Sequence, residues 1–205
     1  MALELRFDLV DLIKNESRAK RKAFAPLIKQ RAIKVEFGNR CIDEIKRRTL
    51  AGEDKNGKTF KGSKGRPARK GKKAIKGSGA GKYSQSYRES LAYTIYGKTN
   101  KVNLKLTGEM HAHINVLKVD PSGVIIGIKD STQEKKARGH INGSGYLPIR
   151  DFWGLSKDDQ TKILKGVLKD FNDEDSISAL TDALADAASI VGTTSLAGEK
   201  LQDAS

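Results

Sequence analysis

The sequence predicts an α+β protein organised around a β-hairpin, with a long helix before it and a second helix after it. Three patterns predict this. Val116 and Val119 are answered by the β-branched run Val124, Ile125, Ile126 and Ile128 across Asp120-Pro121-Ser122-Gly123. In that turn proline fixes φ at the first central position and glycine accepts the exit geometry. Upstream, Ile28, Ala32, Val35, Ile42 and Ile45 recur at three-, four- and seven-residue steps, placing them on one face of a helix from Ala25 to about Leu50. Downstream, Ile163, Leu164, Val167, Leu168 and Phe171 form an apolar stripe behind Ser156-Lys157-Asp158-Asp159, a capping box with aspartate in the usual glutamate position.

In chain order, LELRF alternates apolar and polar residues before LVDLI breaks the alternation, so Leu3–Ile13 is expected as a strand followed by a short helix. Asn15–Lys22 is strongly basic and reads as a connector or helix start. In the long helix Pro26 suits the first turn, where a missing N–H costs little. Gly52 marks its stop, after Lys46, Arg47 and Arg48 complement the negative helix end. Gly38 weakens the middle of such a helix by up to about 1 kcal/mol relative to alanine, so a bend or a close packing partner is expected there. The lysines and arginines of this helix read as a solvated face.

Residues 53–83 differ in kind. No acid occurs between Asp54 and Glu89, and Phe60 and Ile75 are almost the only sizeable apolar side chains before Tyr83. Such a segment buries too little apolar surface to offset its ordering entropy, so a long basic arm is expected, carrying Lys64, Arg66, Arg69, Lys70, Lys72 and Lys73. Asp54-Lys55-Asn56-Gly57 is a turn, with Phe60 as an anchor after it. Tyr87, Leu91 and Ile95 step by fours and predict a short helix capped by Ser84 or Ser86 and ended by Gly97. Leu104–Met110 predicts a helical turn leading into the hairpin, with Leu106, Met110 and Ile114 on one face. Between Ile128 and Leu147 the glycines suggest looser chain, and the hairpin is expected under the helix that ends at Phe171. The domain is thus expected at 1–172, with the arm inserted at 53–83 and an extension at 173–205 holding one helical patch, Ile177–Ile190.

Charge narrows the partners. The net charge of the 205 residues is +14, yet residues 173–205 hold seven acids against Lys200, a local −6 that leaves +20 on the rest. A polyanion or an acidic protein surface suits such a body. One cysteine, Cys41, permits neither a disulfide framework nor a cysteine-based zinc site within a chain. The acidic start MALELRFDLVDLIKNE is unlike a signal peptide, and no window approaches the roughly 20 apolar residues of a spanning helix, so no membrane role is expected.

Motifs for catalysis do not emerge. His111 and His113 are two apart, a spacing fit for a metal on a strand but not on a helix face, and with His140 they read as surface or core imidazoles. There is no phosphate-binding G-x-x-x-x-G-K-[ST] loop and no G-x-S-x-G nucleophile elbow. Glu109, Asp120, Asp130 and Glu134 show no repeated spacing. No catalytic residue, metal or cofactor is therefore assigned. The arm's cations suit salt-sensitive phosphate contact, but Phe60 and Tyr83 bracket the run instead of interleaving it, so bases would not be read.

Two groups of short motifs then matter by their order. The first is Arg48-Thr49-Leu50, Gly52, Asn56-Gly57-Lys58-Thr59-Phe60, Tyr83-Ser84, Tyr87, Gly97-Lys98, Val102-Asn103-Leu104 and Leu106-Thr107-Gly108-Glu109-Met110. The second is His140-Ile141-Asn142-Gly143, then Leu147-Pro148-Ile149-Arg150-Asp151-Phe152-Trp153-Gly154-Leu155-Ser156, then the amphipathic helix. In this order the chain resembles the tailed-phage virion morphogenesis proteins, the group that includes tail-completion and neck proteins. The likeness spans about Lys46 to Phe171. The arm is longer and more basic than that pattern, and the acidic extension is foreign to it.

The resemblance implies no enzymatic activity, a small antiparallel sheet with the hairpin packed against a long N-terminal helix and a C-terminal helix, and a ring of identical copies between head and tail. A hexamer is expected, meeting head-side connector or adaptor proteins on one side and tail tube or terminator proteins on the other, in a virion assembled in the host cytoplasm. The arm would reach a neighbour or packaged DNA. Phe60, Arg150, Phe152 and Trp153 are candidate interface residues, with the competing reading that Phe152 and Trp153 pin their loop onto the core. A tail terminator ring capping the tube, and a free nucleic-acid-binding protein using the arm, are the alternative functions.

Overall fold

A three-stranded antiparallel sheet of order β1-β3-β2 forms the centre of this computed structural model, which describes residues 3–62, 65, 67–68, 74, 76–95, 101–104, 108–143 and 147–171. The fold is α+β. Strand β3 (Gly123–Ile128) is apolar on both faces and lies in the middle, pairing with β1 (Leu3–Asp8) on one side and β2 (Ile114–Val119) on the other. The period-two alternation of LELRF survives in β1, where Phe7 is buried and Glu4 and Arg6 are exposed. Asp120 N donates to Gly123 O at 2.9 Å and Gly123 N to Asp120 O at 3.2 Å, closing the hairpin around Pro121-Ser122 as expected. A bulge between Val116 and Lys118 interrupts the register of β2.

Helix α1 (Leu9–Leu12) follows β1 directly, because Asp8 Oδ1 accepts from Val10 N at 2.9 Å and Asp11 N at 3.1 Å. The single long helix expected from Ala25 is instead two: α2 (Arg18–Leu27) and α3 (Arg31–Ala51). Pro26 therefore stands in the last turn of α2, not in the first turn of the long helix. Its ring removes a donor near the helix end, and the chain turns through Ile28–Gln30 before Gln30, at ψ 133°, opens α3.

The buried face of α3 is turned by about one residue from the predicted stripe. Of the predicted stripe Ile28, Ile42 and Ile45 are buried, but Ala32 and Val35 are only half-buried, and Ile33, Phe37 and Cys41 are fully buried in their place. Gly38 sets this orientation. A Cβ there would lie 2.8 Å from Val116 Cγ2 and 3.1 Å from Val124 Cγ2, so the helix backbone rides on the hairpin at that point. Phe7 meets Phe37 edge to face at 5.7 Å. The helix that crosses both hairpin strands is thus α3, which precedes the hairpin, in place of the following helix that the sequence suggested. Gly52, at φ 78°, ends α3 with its N–H on the carbonyls of Arg48 and Thr49.

The short helix predicted between a Ser84 or Ser86 cap and Gly97 is broken into α4 (Gln85–Arg88) and α5 (Leu91–Ile95). Ser90 makes the break: its hydroxyl donates to Tyr87 O at 2.6 Å and accepts from Tyr93 N at 3.3 Å. Leu91 and Ile95 are 74% and 66% exposed, so the expected stripe is not core in this chain, and Tyr83, Tyr87 and Tyr93 pack together instead. Gly97 and Leu106 lie outside the described residues, while α6 (Glu109–Ala112) supplies the expected turn before β2, with Met110 and Ile114 buried.

Where looser chain was expected after Ile128, residues Ser131–Asn142 form α7. Asp130 caps it by accepting from Gln133 N at 2.8 Å, and Ala137 is fully buried. Helix α8 (Lys157–Asp170) starts as the capping box predicts, with Asp159 N donating to Ser156 Oγ at 3.1 Å. Contacts divide the chain into Met1–Leu164 and a unit starting at Lys165. The expected extension at 173–205 falls outside the described residues. Among the described residues no helix is long and apolar enough to cross a membrane.

Candidate partner interface

Two buried arginines tie together loops that are far apart in sequence. Arg48 is 4% exposed at the end of α3. Its guanidinium donates to Gly154 O and, at 3.2 Å, to Asp54 O, and Glu44 Oε1 lies 3.5 Å from its Nε. One side chain so joins the helix terminus, the turn after it and the loop before α8. The turn is locked from within, as Asp54 Oδ1 accepts from Asn56 N at 2.8 Å and Lys58 N at 2.9 Å. Lys55 then binds Asp151 twice, N to O at 2.8 Å and Nζ to Oδ2 at 2.7 Å.

Arg150 does the same on the other side of this frame. It is 3% exposed, its Nε donates to Lys61 O at 3.2 Å, and its backbone N donates to His140 O at 2.8 Å. Burial lowers the Arg150 pKa from the usual guanidinium range, opposed by the nearby Tyr83 and Tyr87. His140 is pushed down to about 4 by burial and by Arg150, so its imidazole is neutral at pH 7. The base of the arm closes here too: Phe60 N donates to Gly52 O, Gly81 N to Phe60 O and Val102 N to Gly81 O.

All four residues proposed for an interface lie inside this frame. Phe60 and Phe152 are each 1% exposed, Arg150 3% and Trp153 7%, and Phe152 meets Trp153 edge to face at 6.1 Å. Their burial supports the reading of Phe152 and Trp153 as pins for the loop. Lys64, Arg66, Arg69, Lys70, Lys72 and Lys73 lie outside the described residues. His111 and His113 occupy the end of α6 and its cap, not a strand, and no group of three or more potential metal ligands occurs among the described residues. Burial pushes the Cys41 thiol well above its ordinary range, leaving it an inert core group.

Sequence reasoning missed Lys34. It is 3% exposed on α3, and its ammonium donates to Asp120 O at 2.9 Å and Pro121 O at 2.6 Å, capping the hairpin turn. The signal was available, since position 34 falls beside Ile33 and one turn before Gly38 on the packed face. On the outer surface several cations have acidic neighbours, among them Arg40 with Glu36, Arg47 with Glu44, Arg138 with Glu134, and Lys118 with Asp120. On helix α2 Lys20 reaches Glu16 at 3.9 Å, whereas Arg18, Arg21 and Lys22 form no ion pair among the described residues. No protein-family model, curated protein or solved structure matches this chain.

Proposed function

We propose that the chain is a structural subunit of a tailed-phage neck, forming a sixfold ring that completes the tail and docks it to the DNA-filled head. One observation carries an architectural role. The segments that resemble the phage morphogenesis proteins, from Arg48 to Ser156, are bonded to one another through Arg48, Lys55 and Arg150. Their most distinctive polar groups are used on loop carbonyls, which fixes the outline of the subunit. A fixed outline is what repeated packing about an axis requires.

Contact surface is at hand on the same body. Strands β1 and β2 are the sheet's edges, able to accept a neighbour's strand or arm. Leu91 and Ile95 stand exposed one turn apart on α5. Repetition around a ring multiplies weak contacts of either kind. The partners on this reading are copies of the chain, a head-side connector and the tail tube.

Replacing Lys64, Arg66, Arg69, Lys70, Lys72 and Lys73 by Gln tests it in infected cells: thermal stability stays, and head–tail joining falls. Normal joining by that variant removes the arm from the mechanism. A purified chain that stays monomeric, and is absent from micrographs of the particle neck, removes the neck itself. The competing reading is a free nucleic-acid-binding protein, favoured by the acid-free basic stretches; tight duplex binding by a lone monomer outside any particle selects it.

A further inference from the structure

We infer that helix α2 is a preformed binding surface for the phosphate backbone of duplex nucleic acid. From Ser17 to Val35 the chain holds seven cations and no acid. Three of them, Arg18, Arg21 and Lys22, are spaced i, i+3, i+4 and project from one stripe of α2. All three are exposed, and none has an ion-pair partner among the described residues, unlike Arg40 and Arg47 on α3 and Arg138 on α7. Lys29, in the turn that follows, and Arg31, the first residue of α3, are exposed as well.

The helix is also at odds with its own dipole. Its first turn contains no acid and gathers positive charge at the end where anions are favoured. Glu16, ahead of the N-cap, meets only Lys20 among these cations, at 3.9 Å, and a phosphate backbone would meet the others. Arg18 and Lys22 are separated along the axis by about 6 Å at the ~1.5 Å rise of a helix. On each strand phosphates recur about every 3.4 Å of duplex axis, so a stripe of this length can meet about two of them.

Size and position of the apolar residues select this partner over a lipid surface. No residue of α2 is buried, but its bulky members Phe24 and Leu27 are half-covered, and Ala19, Ala23 and Pro26 are its exposed apolar residues. An interfacial helix needs large side chains free to enter the acyl boundary. The contact made by α2 is one of charge, blind to base sequence. It holds whether or not the chain works in a neck.

The test is fluorescence anisotropy of a short labelled DNA duplex with the full chain, between about 50 and about 200 mM salt. In the variant Arg18→Gln/Arg21→Gln/Lys22→Gln, affinity falls and the slope of log K against log salt becomes shallower by about 2 to 3, one unit per lost phosphate contact. The control Arg47→Gln/Arg138→Gln, which removes paired cations, leaves the slope unchanged. An unchanged slope in the α2 variant overturns the inference, because binding would then reside elsewhere. So does an equal loss in the control, which would make net charge the cause. Preference of the wild-type chain for anionic vesicles or poly-glutamate over duplex also overturns it. Should the triple variant unfold, Arg21→Gln and Lys22→Gln singly, each expected to remove about one unit of slope, decide the matter.

Discussion

Gly38 sets two effects of known size against each other. Alanine in the middle of a helix is favoured over glycine by up to about 1 kcal/mol. At this position, however, the added Cβ would lie 2.8 Å from Val116 Cγ2 and 3.1 Å from Val124 Cγ2. Carbon atoms in contact prefer about 3.5–4.0 Å, so one or both valines must retreat. Val124 is fully buried in the central strand and has no room to move, while Val116 is half-buried beside the bulge of β2 and can yield in part. Overpacking of this kind costs about 1–3 kcal/mol. The net expectation for Gly38→Ala is a loss of about 1 kcal/mol, and for Gly38→Leu a loss of about 3 kcal/mol. Adding Val116→Ala to Gly38→Ala removes the nearer clash, so the double variant should be less destabilised than the sum of the singles by about 1 kcal/mol. Urea unfolding, with the midpoint read at constant slope, measures each term. A midpoint raised by Gly38→Ala refutes the reasoning, since it would mean that propensity acts alone and that α3 does not ride on the hairpin there.

Three further outcomes follow from the frame around the arginines. Arg48→Ala strands the carbonyls of Gly154 and Asp54 and should cost about 2–4 kcal/mol by thermal or urea unfolding; a change below about 0.5 kcal/mol, the range of ordinary surface substitutions, would show that the frame is not held there. Trp153→Ala should cost about 3–5 kcal/mol if its burial reflects core packing, whereas an unchanged melting temperature with lost assembly would mark an interface residue. His140 is held at about 4, below its ordinary value of 6.5. Between those values the unfolded chain binds the extra proton, so stability is full above about pH 6.5 and declines as pH falls toward 4, by about 2–4 kcal/mol in all. His140→Gln should flatten that part of the profile; an unaltered slope would assign it to carboxylates.

Local signals were legible where one segment decides its own geometry. The Asp-Pro-Ser-Gly turn, the alternation in β1, the stop at Gly52 and the capping box before α8 each depend on a few adjacent residues, and each appears in the structure. Helix α7 was legible in principle, as Asp130 and Gln133 have the spacing of a cap, but its glycine and many charges masked the period. The break at Ser90 was masked in the opposite way, by a regular four-residue step that the side chains of Leu91 and Ile95 do not use for packing.

The candidate site divides along the same line. From its sequence alone the chain determines a basic body, a β-hairpin between helices, and an acid-free arm, because charge and short-range periodicity are properties of neighbours in the chain. Only the tertiary structure decided which face of α3 is buried, that β1 joins the hairpin beside β3, and that Lys34, Arg48 and Arg150 serve the interior while Arg18, Arg21 and Lys22 form no ion pair among the described residues. A cation's role depends on whether a carbonyl, a carboxylate or solvent meets it in space, and those groups arrive from segments as many as 146 positions away, as Asp11 does for Lys157.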